Sequence, residues 1–293
     1  MRSLIEMTLL ADTPPFSLNL IQDFSEMLSY DFMRYAFLTG TILAIVAGLV
    51  GYFVVLRHLV FAVEALSHVT FTGALGAAII GIHPSLGLFG VTILVALGMG
   101  AMGMRQARAR DVATGTVLAW VLGLGVLFLS IYSSKTSSSI GVNILFGSIL
   151  GLQEQQVQVI AIVGALAIAV LLVIARPLLF ASLDPEVAAA RGIPVRGLSM
   201  VFLALVAISV AEAVPAVGAL LNSALIVTPA AIAQRLVTRP FVALLLSATL
   251  ALVFTWVGLI IGFYAPYPIS FLISTLAFLA YATVVLWQRQ VTD

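Results

Sequence analysis

Stretches of about 20 apolar residues recur along this chain, at about 32–56, 59–82, 85–104, 112–132, 156–175, 197–214, 216–237, 241–263 and 268–288. A helix rises about 1.5 Å per residue, so each stretch matches the ~30 Å hydrocarbon core of a bilayer. In lipid no water takes up backbone hydrogen bonds, so a chain that stays there must close them within helices. The expectation is an all-α, polytopic transmembrane bundle of about eight to nine spans. The range arises at Pro215, which parts the sixth and seventh stretches and either separates two spans or breaks one helix. Composition agrees. The chain is 62% hydrophobic and 9% charged, whereas a soluble domain is about a quarter charged.

Lys and Arg favour cytoplasmic loops. With the N-terminus outside, the cytoplasmic segments hold Arg57, Arg105, Arg108, Arg110, Arg176, Arg191, Arg196, Arg235, Arg239 and Arg289, which is 10 of the 13 basic residues. Arg2, Arg34 and Lys135 fall outside. The reverse orientation inverts this ratio, so the expected topology is N-terminus outside and C-terminus cytoplasmic. Residues 1–30 read as a surface arm, because Glu6 and Pro14-Pro15 interrupt any signal-peptide core. Residues 31–293 read as one transmembrane domain. The polar run SSKTSSS reads as an external loop. Residues 140–152 are too short and glycine-rich to span; they read either as a re-entrant segment or as an interfacial helix.

Within the second stretch lies RHLVFAVEALSHVTFTG, residues 57–73. Glu64 and His68 are four residues apart, on one face of a helix. Ionisable residues inside a membrane are costly and usually face a cavity or a transport path. A carboxylate and an imidazole together suit zinc, manganese or iron. Two ligands do not close a site, and Glu212 is a further candidate on the path. Asp31 and His83, near the outer boundary, are candidate entry ligands. Small residues such as Gly48 and Gly51 allow helices to approach closely.

A loop is expected at 176–196, RPLLFASLDPEVAAARGIPVR. Asp184 is a good N-cap, Pro185 suits the first helical position, Glu186 suits the first turn, and Gly192 precedes Pro194. A short helix from Pro185 to about Arg191 follows, with Ala188, Ala189 and Ala190 on its exposed side. A short capped helix of this kind suits docking to a cytosolic partner. The chain has no cysteine, which excludes thiolate metal sites and disulfides. Its only lysine, Lys135, follows Ser134 and so makes no phosphate-binding loop. Any ATPase must be another chain. No basic patch suits nucleic acid, and no hydrolase motif is present.

Four segments carry a resemblance. LRHLVFAVEALSHVTFTG (56–73), LFGSILG (145–151), DPEVAAARGIP (184–194) and VGALLNSALIVTPAAIAQRL (217–236) occur in the order found in the membrane permeases of ABC importers for zinc, manganese and iron. The chain resembles that family over roughly 31–288. The resemblance implies a transporter subunit rather than an enzyme, in a bacterial plasma membrane. It implies a permease homodimer, two copies of a cytosolic ATPase, an extracytoplasmic metal-binding protein, and no permanently bound cofactor, the divalent metal (zinc or manganese) being cargo. Glu64 and His68 would line the path. Asp184, Pro185, Glu186, Ala189, Arg191 and Gly192 would form the ATPase-coupling helix. Two departures stand out: Glu64 where the family usually has aspartate, and Asn222 where it has an apolar residue. A proton- or sodium-driven secondary transporter, with Glu64 and His68 as proton relay, is the alternative.

Overall fold

The computed structural model describes residues 26–101, 107–135, 144–265 and 267–292. Ten helices lie within them: α1 (Asp31–Leu56), α2 (Val60–Ile80), α3 (Pro84–Ala101), α4 (Ala107–Lys135), α5 (Glu154–Leu183), α6 (Pro185–Ala190), α7 (Val195–Val217), α8 (Asn222–Leu236), α9 (Pro240–Tyr264) and α10 (Ile269–Thr292). A 3₁₀ turn covers Ile149–Gly151, and the described residues contain no strand. Eight of the helices are long and apolar enough to cross a membrane; α6 and α8 are not among them. The arm expected over 1–30 lies, except for its last residues, outside the described residues, as does most of the SSKTSSS loop.

Helix α1 is buried along most of its length, with α5, α7, α8 and α9 packed around it. Two glycines make the closest contacts possible. A Cβ on Gly48 would lie 2.5 Å from Ala248 Cα on α9, and one on Gly51 would overlap the Ile226 carbonyl oxygen on α8. Polar bonds reinforce both seams: Ser247 Oγ donates to Gly48 O at 2.7 Å, and Gln234 Nε2 donates to Tyr52 O at 2.7 Å. Helix α2 is the second hub, between α3, α4, α7 and α8.

Side-chain contacts fix which helix ends lie together. Arg57 Nη2, just after α1, donates to Ser199 Oγ near the start of α7 at 2.6 Å. Gln288 Nε2, near the end of α10, donates to Arg235 O near the end of α8 at 2.8 Å. One end of the bundle therefore gathers Arg57, Arg235 and the last turns of α10. At the other end, Ser270 Oγ donates to Phe146 O, and Ser148 N donates to Pro215 O at 3.1 Å. The described part of 140–152 is thus packed into protein. Ala219 N and Leu220 N also donate to the carbonyls of Ile144 and Leu145.

Three expectations need correction. Pro215 neither separates two spans nor breaks a helix; it sits in the last turn of α7, which tolerates the one N–H bond that the proline removes. The break comes at Gly218, whose φ of +92° suits glycine. The seventh stretch, read as 216–237, is then only the 15-residue α8, roughly 22 Å long and short of a full span. Second, residues 176–183 are not loop. Helix α5 continues through Pro177 to Leu183, because membrane helices tolerate the loss of one bond at a proline. Third, Ala188 is buried rather than exposed, so α6 presents Glu186, Val187, Ala189 and Ala190.

Gly51→Ala should lower the thermal stability of the detergent-solubilised protein by about 1–3 kcal/mol, because its new methyl meets backbone rather than a flexible side chain. Gly90→Ala, with nothing within 4 Å of its Cβ position, should keep or slightly raise the melting temperature.

Candidate functional site

Glu64, Ser67 and His68 stand at i, i+3 and i+4 of α2, which places them on one face. His68 Nε2 lies 3.4 Å from Glu64 Oε1; the His68 side chain is 10% exposed and that of Glu64 36%. The pair therefore has a buried nitrogen and a carboxylate at an opening. That opening is a cleft of about 310 Å³ lined by Phe61 and Glu64 of α2 and by Ser223, Val227 and Thr228 of α8. The distance is that of a direct imidazole–carboxylate contact, and it also matches two ligands on one ion. Two ligands each about 2.1 Å from a metal are about 3.4 Å apart at a tetrahedral angle and about 3.0 Å apart at a right angle.

Helix α8 begins against this face. Ser223 lies beside the Glu64 carboxylate. Asn222, fully buried, donates from Nδ2 to Ser67 Oγ at 3.2 Å and to Val210 O of α7 at 3.4 Å. A 15-residue helix that starts inside the bundle can present its first turn at membrane depth, as a full span could not. Ser67 and Ser223 escaped the sequence reading. The available signal was their position, one beside His68 and the other beside the out-of-pattern Asn222.

The remaining sequence candidates are placed elsewhere. Glu212 on α7 is 1% exposed, and neither carboxylate oxygen has a hydrogen-bond partner. It faces α5, where a Cβ on Gly164 would lie 2.8 Å from its Oε1. Asp31 is exposed and lies 3.7 Å from Arg34 at the start of α1. His83 is exposed, and its Nδ1 accepts from Ser85 N at 3.4 Å at the start of α3. Among the described residues no three His, Asp or Glu side chains gather to hold a metal.

The short helix α6 is firmly built. Asp184 Oδ1 accepts from Val187 N at 3.0 Å, Pro185 takes the first helical position, and Gly192 has φ +81°. Ala188 is buried beneath it, and the Arg191 guanidinium lies 5.4 Å from the centre of the Phe180 ring on α5. The helix is thus fixed to α5 on one side and leads directly into α7 on the other.

The ABC 3 transport family model matches residues 29–288. The chain belongs to that family. The resemblance read from its four segments is borne out, and with it a multi-pass protein of the bacterial plasma membrane. A manganese transport system membrane protein, MntC, of Listeria innocua is 29% identical over 259 residues, covering 88% of this chain and 90% of the relative. A manganese import system permease protein, ScaB, of Streptococcus parasanguinis is 32% identical over 237 residues, covering 80% and 82%. The solved structure of PsaBC from Streptococcus pneumoniae in complex with Fab superposes with a TM-score of 0.79 at 26% identity, covering 90% of this chain and 95% of that one.

Replacing a buried, unpartnered polar group by an apolar one of similar size is usually neutral or stabilising. Glu212→Leu should therefore keep or raise the melting temperature. Gly164→Val, which would press on both Ile42 and Glu212, should lower it in the same assay.

Proposed function

We propose that this chain is the membrane-spanning subunit of an ATP-driven importer of a divalent transition metal, with Glu64 and His68 as path ligands. The observation that carries the reading is their 3.4 Å spacing, with Glu64 lining a cleft, on a span that has no other ionisable residue. Of the zinc or manganese suggested by sequence, manganese is favoured. The relatives are named for manganese, and the groups around the pair are oxygen donors, which suit that ion. Two protein ligands hold an ion weakly enough to release it, as transport requires.

The end of the bundle that carries Arg57, Arg235 and Arg289 is the cytoplasmic one, in keeping with the distribution of positive charge. The cleft beside Glu64 is open, and a second copy of the chain would close it, giving a homodimer with the path between the copies. Helix α6, with Asp184, Pro185, Glu186, Ala189, Arg191 and Gly192, docks on a cytosolic ATPase, two of which drive the dimer. An extracytoplasmic binding protein delivers the ion at the opposite end, where Asp31 lies. ATP hydrolysis belongs to the partner chain.

The test is uptake by proteoliposomes holding this chain with its ATPase and binding protein. Glu64→Ala and His68→Ala should each abolish manganese uptake while the ATPase still co-purifies; wild-type uptake by both variants would overturn the path assignment. Ala189→Lys should do the reverse, leaving the permease folded while the ATPase no longer co-purifies.

A further inference from the structure

Two buried atoms, one on α2 and one on the first residue of α8, lack a hydrogen-bond partner: His68 Nδ1 and Asn222 Oδ1. Their needs are complementary. With Nε2 turned toward Glu64, a neutral His68 that offers its Nε2 lone pair to a metal carries its proton on Nδ1 and needs an acceptor there. Asn222 Oδ1 is an acceptor that needs a donor. Its orientation is not arbitrary: Val210 O can only accept, so the nitrogen of the amide must face it. The oxygen is left over.

Other buried acceptors without a partner among the described residues are placed less well. The two Glu212 oxygens face Gly164 on α5, and Thr39 Oγ1 sits on α1. Asn222 alone of these is bonded to α2, at Ser67, the residue before His68. An orphaned buried amide oxygen costs about 1–3 kcal/mol, and an apolar side chain at 222 would avoid that cost. A metal-bound histidine nearly always donates its second N–H to a carbonyl or carboxylate, which fixes the tautomer and the ring orientation.

We propose that Asn222 is the positioning residue of the metal path: when the ion binds between Glu64 and His68, Asn222 Oδ1 accepts the Nδ1–H of His68. The inference rests on the reading of Glu64 and His68 as path ligands. In the structure the bond is unmade, so it belongs to the loaded state. The amide nitrogen meanwhile keeps α2, α7 and α8 together through Ser67 and Val210. One side chain thus joins the metal histidine to the helix that leads from the docking segment α6.

The chain has three histidines and three asparagines, so labelling these two residue types gives few signals. The experiment is solid-state NMR on the bilayer-embedded complex with ¹⁵N-histidine and side-chain ¹³C-asparagine. Zinc serves as the diamagnetic probe, and the His68→Gln spectrum assigns the His68 signal. Zinc loading should metallate His68 at Nε2, keep the proton on Nδ1, and create a dipolar contact between Nδ1 and the Asn222 side-chain carbonyl that is absent without metal. Asn222→Leu should weaken zinc binding about 10- to 100-fold, and Asn222→Asp, which keeps an acceptor, should recover most of the loss. Metallation at Nδ1, no His68–Asn222 contact in the loaded state, or unchanged affinity in a folded Asn222→Leu variant overturns the proposal. Should that variant fail to fold, the wild-type contact decides alone. The two readings fail differently. If His68→Gln and Glu64→Ala bind zinc like wild type, the path itself is wrong; if they lose zinc while the contact is absent, only the role of Asn222 is.

Discussion

The close approach of α8 to α1 at Gly51 decides where the polar groups of this bundle can meet. With no side chain on Gly51, the Ile226 carbonyl sits directly against α1. That contact fixes the depth of α8, and so the place of its first turn. Asn222 and Ser223 then fall on the face of α2 that carries Glu64, Ser67 and His68. A longer side chain at position 51 would push α8 outward and separate these residues. The geometry around Glu64 and His68 therefore depends on a contact between two pieces of backbone, neither of which carries an ionisable side chain.

Much of the fold was legible because the bilayer imposes one length on every span. The apolar stretches gave α1, α2, α3, α4, α9 and α10 to within a few residues, and the capping residues gave α6 almost completely. The misreadings occurred where a local signal competed with burial. Arg176 and Pro177 look like the end of a helix, but α5 lies along a membrane that offers the backbone nothing better than its own hydrogen bonds, and it runs on to Leu183. Pro215 looks like the break between α7 and α8, but the chain turns three residues later, at a glycine able to take positive φ. The inward turn of Ala188 could not be read because three consecutive alanines have no polar side to mark the outside.

The site was legible in part, for a related reason. Glu64 and His68 share one helix, so their spacing along the chain predicts their spacing in space. The contact of Asn222 with Ser67 joins residues 155 apart in sequence, and no local periodicity announces it. The only trace was compositional: an amide at a position where the family resemblance expects an apolar residue. Glu212 left the same kind of trace, yet it packs against Gly164 on the α5 side. An out-of-place polar residue in a membrane helix thus signals that something must be satisfied, and tertiary packing alone decides by what.

The connection from α6 to the face of α2 that carries Glu64 and His68 follows from covalent continuity and two hydrogen bonds. Residues 191–194 join α6 to α7, and along α7 Val210 lies roughly 22 Å from the helix start. There its carbonyl holds Asn222, which in turn holds Ser67 beside His68. On the transport reading, a displacement of α6 imposed by an ATPase would be carried by a stiff helix to a point one residue from a metal ligand. A tilt of α7 that drew Val210 away would have to break the amide bond to it or carry α8 along, and either event changes the setting of His68. Arg57 bonds Ser199 at the foot of the same helix, so α1 would act as the fixed point about which such a tilt turns.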